Sequence, residues 1–198
     1  MSASILALGA DPGRHGGLAL VQMCRGELPE LLGVWRFQGE GLDGYFDRAT
    51  QAALDAQELR AGRPVKAWIE EVPPFGRAQV AAGLGRRQGL LIASLLVASF
   101  PDPERVLPLV WPQQWGGRIR AGKDKEDKGL HRLDEVGRLF QPGAREKLDR
   151  LGGASVIVDA AEAVLIAGAA CIAGLGEEAQ TKLLLEVKSQ PKKRRGGK

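Results

Sequence analysis

Residues 5–23 read ILALGADPGRHGGLALVQM, and the reading of this stretch decides the fold. Positions 5–10 are an unbroken apolar run closed by Asp11-Pro12-Gly13, which is how a buried strand enters a turn. A second apolar run, 16–23, begins so soon afterwards that the two can pair antiparallel. Residues 30–37, after the turn-prone Arg25-Gly26-Glu27, supply a third strand and complete a meander.

Beyond the meander the period changes. Residues 43–61 have helical spacing, with Phe46, Ala49, Ala53 and Leu54 near one face, and Gly62-Arg63-Pro64 stops them. VKAWIEE (65–71) reads as a strand cut off by Pro73-Pro74. A long helix over 79–100 ends at Pro101 and Pro103, and 105–111 reads as another short strand. The polar stretch 112–128 is a loop or short helix, 125–140 is helical, and a last helix spans 154–174. The order predicts an α/β fold: a mixed five-stranded sheet, three antiparallel strands and then parallel ones, flanked by helices. Residues 1–176 form one domain, and 177–198 a C-terminal segment whose basic end, SQPKKRRGGK, cannot build a core and is expected to be disordered.

Bulk numbers narrow the class. With 198 residues and 44% hydrophobic content the chain is long and apolar enough for one sizeable core. The net charge of +4 is a property of the tail: without Lys188, Lys192, Lys193, Arg194, Arg195 and Lys198 the body carries 22 basic against 24 acidic residues, a net −2. Cys24 and Cys171 are far apart, without zinc or disulfide spacing, and read as small buried hydrophobes. The N-terminus has no signal-peptide pattern, and no apolar run is expected to span a membrane, since Asp159 and Glu162 interrupt the best one. The expectation is a soluble, cytoplasmic protein with no membrane partner and no small-molecule substrate.

Four carboxylates carry the chemistry. Asp11 closes the first strand, and alone it reads equally well as a turn former. Glu70 and Glu71 end the strand VKAWIEE; adjacent strand residues face opposite ways, so at most one can join Asp11, and alternation does not choose between them. Asp159 and Glu162 sit inside VIVDAAEAVLI, spaced i and i+3 on one helical face. Like charges at that spacing repel, and an apolar helix raises their desolvation cost; a bivalent cation offsets both. Clustered carboxylate oxygens suit Mg²⁺ or Mn²⁺, and two such ions per site can cleave a phosphodiester.

These motifs, in this order, resemble the RuvC-family Holliday junction resolvases of the RNase H-like superfamily, known in bacteria and phage. The segment 5–13 looks like the family's first strand with its catalytic Asp in a DPG turn. Trp68-Ile69-Glu70-Glu71-Val72 resembles the second acidic motif, with Glu70 at the catalytic position. Leu84-Gly85-Arg86-Arg87-Gln88-Gly89 is similar to the helix that follows, and Val158-Asp159-Ala160-Ala161-Glu162-Ala163 to the terminal acidic motif, with Glu162 where Asp is commoner. The resemblance spans about residues 5–170. It implies Asp11, Glu70, Asp159 and Glu162 as catalytic metal ligands, two Mg²⁺ (or Mn²⁺) ions, a homodimer joined through the helix 79–100, and paired nicks in a four-way DNA junction.

Phosphates need cations. Lys123, Lys125, Arg77, Arg86 and Arg118 are the candidate DNA contacts, with Phe75 as the aromatic that some relatives place near the junction centre. Trp111 and Trp115 resemble the family's Pro-x-x-Trp stretch and read as packing groups; His15 and His131 read as surface residues. Three other readings compete: a nuclease for other branched or RNA-containing duplexes, a non-catalytic DNA-binding module, and an actin-like ATPase fragment. The last needs a duplicated domain that 198 residues do not provide.

Overall fold

The computed structural model describes residues 4–37, 41–72, 78–108, 110–115 and 124–189, the side chains of 125 and 186–189 excepted. Its strands are β1 (Ile5–Asp11), β2 (Gly17–Met23), β3 (Glu30–Arg36), β4 (Lys66–Glu70) and β5 (Glu104–Val106). Its helices are α1 (Gly41–Arg60), α2 (Ala78–Val97), α3 (Trp111–Gln114), α4 (Lys125–Leu139), α5 (Ala144–Asp149), α6 (Val158–Ala173) and α7 (Glu177–Ser189). The five strands form one sheet in the order β3-β2-β1-β4-β5. β1 pairs antiparallel with β2 and β2 with β3, while β4 and β5 join parallel. This is the expected mixed, RNase H-like sheet.

Alternation along the central strand splits the core in two. Leu6, Leu8 and Ala10 face a cluster built with Tyr45, Ala49, Ala53, Leu91 and Leu95 of α1 and α2. Ala7 faces the other cluster, dominated by α6 and joined by Trp111, Trp115, Leu133 and Phe140. Gly9 and Asp11 share the Ala7 side, because side chains two apart lie on one face. A Cβ at Gly9 would collide with the backbone of Ala163 and Ala167. The missing side chain therefore lets α6 lie directly on β1. Alanines along α6 keep that approach close, and every residue from Val158 to Ile172 is buried.

Several details depart from the sequence expectations. The strand expected over 105–111 is only three residues long, and Trp111 instead opens α3, with Pro112 in the first turn where its missing N–H costs nothing. α5 was not anticipated, and α6 starts at Val158, after a turn at 154–156. α1 buries Tyr45, Ala49, Ala52, Ala53 and Ala56, leaving Leu54 exposed. Cys171 is buried as expected, but Cys24 is only half-buried.

Helix α2 is long and apolar enough to cross a membrane by length and composition, against the expectation that no run would be. It packs on α1 through Leu91, Ser94 and Leu95 and leaves Val80, Leu96 and Val97 exposed. At the other end of the chain, α7 places Leu183 in the α6-side core, and Gln180 donates to the carbonyls of Ile172 and Leu175.

Candidate metal centre

Three elements deliver four carboxylates to one end of the sheet. β1 and β4 are parallel neighbours, with Ala10 opposite Ile69, so Asp11 and Glu70 come off adjacent strand ends together. α6, seated on Gly9, brings Asp159 and Glu162 over the same ends from one helical face. All four line a cavity of about 200 Å³, with Pro12, Gly13, Glu71, Val72, Leu84 and Lys128. Asp11, Asp159 and Glu162 are buried, and Glu70 is half-buried.

Each carboxylate has its own support. The Gly13 amide donates to Asp11 Oδ1 at 2.8 Å, an Asx-type contact that shapes the turn. Asp159 Oδ2 accepts from the amides of His15 at 2.9 Å and Gly16 at 3.2 Å, which ties α6 to the β1–β2 turn. A Cβ at Gly13 would run into the Asp159 carboxylate, so this docking needs glycine there. Asp159 also lies in the first turn of α6, where the helix dipole favours negative charge.

Glu70 Oε1 accepts from the indole N–H of Trp111 at 2.9 Å. Glu162 is held by cations: Lys128 Nζ lies 3.0 Å from Oε2, and Arg132 Nε and Nη2 lie 3.1 and 3.0 Å from Oε1. Arg132 also reaches Glu135 through Nη1 at 3.3 Å, and its guanidinium carbon lies 5.9 Å from the Trp111 ring centroid. Lys128, Arg132 and Glu135, at i, i+4 and i+7, share the side of α4 that packs on α6.

The strand carboxylates keep their protons unusually well. Burial, then the charges of Glu70, Asp159 and Glu162, push Asp11 well above the usual carboxylate range, against the pull of the Gly13 amide. Glu70 is pushed up to about 7, first by burial and then by Glu162, against the lowering effects of the Trp111 bond, Lys128 and Arg132. This is the behaviour of carboxylates crowded around a shortage of positive charge. Among the described residues no three or more His, Cys, Asp or Glu side chains are drawn together as a ligand cage. The carboxylates stand instead around the cavity wall. An all-oxygen donor set, facing a cavity and short of positive charge, fits a hard divalent cation and does not fit a soft metal.

Two of the sequence assignments sharpen here. Glu70 and Glu71 both line the cavity, but the charge of Glu162 acts on Glu70, the charge of Glu70 acts on Asp11, and Trp111 bonds Glu70. Trp111, read from sequence as a packing group, is both a packing group and the hydrogen-bond donor to Glu70; Trp115 is buried and donates to the Leu165 carbonyl. Arg132 was missed. Its only local signal is its spacing from Lys128 and Glu135. His131 is half-buried, 3.4 Å from Asp127. Of the candidate DNA contacts, Arg86 is exposed on α2 and Lys125 begins α4. Phe75, Arg77, Arg118 and Lys123 lie outside the described residues.

No family model matches the sequence, and no curated protein matches it either. Solved structures do. The chain superposes on "T. thermophilus RuvC in complex with Holliday junction substrate" with a TM-score of 0.52 and 20% identity, over 80% of this chain and 92% of that one. A second match, "Thermus thermophilus RuvC structure", has a TM-score of 0.49 and 21% identity, over 83% and 96% of the two chains. At such identities the likeness is one of fold: strand order and helix placement are RuvC-like over most of the chain.

Proposed function

We propose that this chain is a metal-dependent endodeoxyribonuclease that resolves four-way DNA junctions by paired, symmetric nicks. The observation that carries the reading is the convergence of Asp11, Glu70, Asp159 and Glu162, from β1, β4 and α6, on one cavity of a RuvC-like fold. The solved neighbour is described as bound to a Holliday junction substrate, and that substrate class is carried to this chain as part of the proposal.

In this reading the four carboxylates hold two Mg²⁺ ions, with Mn²⁺ able to replace them. Bound there, the ions supply an activated water and stabilisation of the leaving oxygen, giving 5′-phosphate and 3′-hydroxyl ends. The chain's own residues do the rest. The His15 and Gly16 amides fix Asp159, Trp111 fixes Glu70, and Arg132 fixes Glu162, so the ligand oxygens are oriented before DNA arrives. Arg86, Lys125, Lys123, Arg77 and Arg118 are the cations this reading assigns to backbone phosphates, and Phe75 is the aromatic it assigns to the junction centre.

Among the described residues there is one such cavity, so nicks on two strands call for two copies. A homodimer related by a two-fold axis matches the symmetry of a four-way junction. Helix α2, which leaves Val80, Leu96 and Val97 exposed, is the element we assign to contact with the second copy. The activity belongs in the cytoplasm, of a bacterium or of a phage-infected cell.

The test uses a synthetic four-way junction and a linear duplex of matching sequence, strand-labelled, with Mg²⁺ or with EDTA. Paired nicks at symmetry-related positions, only on the junction and only with the metal, are expected. Equal cutting of the duplex would remove the junction assignment, and no cutting with Mg²⁺ or Mn²⁺ would overturn the nuclease reading.

A further inference from the structure

Lys128 and Arg132 stand one turn apart on α4 and address the same carboxylate in different ways. Arg132 is buried, at 5% exposure, and both its Nε and Nη2 donate to Glu162 Oε1. Its third contact, Nη1 to Glu135, and the Trp111 ring hold it from behind. Among the described residues Lys128 makes one bond, Nζ to Oε2 at 3.0 Å, from a side chain that is 37% exposed. Lys128 also lines the cavity mouth.

Counting lone pairs separates the two oxygens. A carboxylate oxygen accepts about two hydrogen bonds. Oε1 already takes two N–H groups from one guanidinium, whereas Oε2 takes a single ammonium. Oε2 is therefore the oxygen with capacity to turn toward an ion. The cations differ in what it costs to move them. Withdrawing Arg132 would take from the buried Glu162 Oε1 both of its N–H donors. Lys128 sits on a flexible stem at the surface, and its compact ammonium regains full hydration by a change of rotamer.

We infer that the two oxygens of Glu162 have divided duties: Oε1 is anchored permanently by Arg132, and Oε2 is the ion's ligand, guarded by Lys128, which withdraws when a divalent cation binds. This rests on the reading of the cavity as a divalent-metal site. Without the ion, the ammonium offsets part of the repulsion among the four carboxylates. An ammonium and a divalent cation repel each other strongly at one oxygen, so the two compete for Oε2. Once displaced, Lys128 stays at the cavity mouth, where the phosphate must approach.

The test is calorimetric titration of DNA-free protein with MnCl₂, comparing wild type with Lys128→Met, Arg132→Lys and Asp11→Asn, each first shown to be folded by circular dichroism. Lys128→Met should bind Mn²⁺ about fivefold tighter than wild type, since it removes the competing charge. Arg132→Lys keeps the charge but loses the fork, and should bind about fivefold weaker. If Arg132→Lys does not fold, Glu135→Gln, which loosens Arg132 without touching Glu162, replaces it and should also bind more weakly. Unchanged or weaker Mn²⁺ binding by Lys128→Met would overturn the guard role, and unchanged binding by the anchor variant would overturn the division of duties. Wild type that binds no Mn²⁺, or binding that survives Asp11→Asn, would instead sink the metal-site reading itself, and this inference with it.

Discussion

The two carboxylates on strands and the two on the helix live under different electrostatic regimes, a few residues apart in the same cavity. Asp11 receives one amide and Glu70 one indole N–H, and both hold their protons above the usual carboxylate range. Asp159 receives two amides, and Glu162 receives an ammonium and both arms of a guanidinium fork. The reason lies in the layers. Strand ends in a parallel pair offer little besides their own turn, whereas α6 is flanked by the β1–β2 turn on one side and by α4 on the other. The fold thus gives the helix half of the site more hydrogen-bonded compensation of its own than the strand half, where Lys128 and Arg132 act on Glu70 through charge alone.

That comparison breaks if the two halves respond alike to loss of charge. The largest effect is expected from Asp11→Asn, which should lower Mg²⁺-dependent junction cleavage by about 10³-fold. The same variant should melt higher than wild type in EDTA, because a neutral amide is cheaper to bury there than a crowded carboxylate. A lower melting temperature would show that Asp11 is already compensated. On the helix side the sign reverses: Arg132→Met should destabilise the protein by about 3–5 kcal/mol in urea unfolding, by removing both N–H donors from the buried Glu162 Oε1. Lys128→Met, which breaks a part-exposed pair, should cost at most about 1 kcal/mol. Equal costs for the two would erase the contrast between anchor and guard.

A pH slope tests the strand half by itself. A carboxyl whose folded pKa exceeds its unfolded value binds its proton more tightly in the folded chain, so stability falls as pH climbs between the two values. For Glu70 that window runs from 4.5 to about 7, and Asp11 adds a loss that begins near 3.8. Urea unfolding in EDTA should therefore show stability decreasing from about pH 4.5 to 7, and saturating Mg²⁺ should flatten or reverse the slope by favouring the ionised forms. A rise across that window in EDTA would contradict the crowding of the strand pair.

Most of the sheet was legible from residues 5–23 and from the carboxylates that close or interrupt apolar runs. An Asp ending a buried strand and two acidic residues inside an alanine-rich helix are conspicuous, because burying charge is expensive. The sequence misled where apolar content and backbone chemistry disagree. The stretch 105–111 is apolar enough for a strand, but Pro108 and Pro112 limit ladder pairing and favour the start of α3. α5, at six residues, is too short for periodicity to register. Trp111 and Arg132 acquire their roles only when α3, α4 and α6 meet, and no local pattern encodes that meeting. Alternation could not choose Glu70 over Glu71, since both faces of β4 carry apolar residues, and only the resemblance to the family's acidic motif did.

The account turns on whether a divalent ion enters between the strand pair and the helix pair. Crystals soaked in MnCl₂ and measured for anomalous scattering test this most directly. The prediction is one or two Mn²⁺ peaks inside the cavity bounded by Asp11, Glu70, Asp159 and Glu162, absent from Asp11→Asn crystals soaked in the same way. A cavity without a peak at saturating Mn²⁺, or peaks that persist in Asp11→Asn, would contradict it.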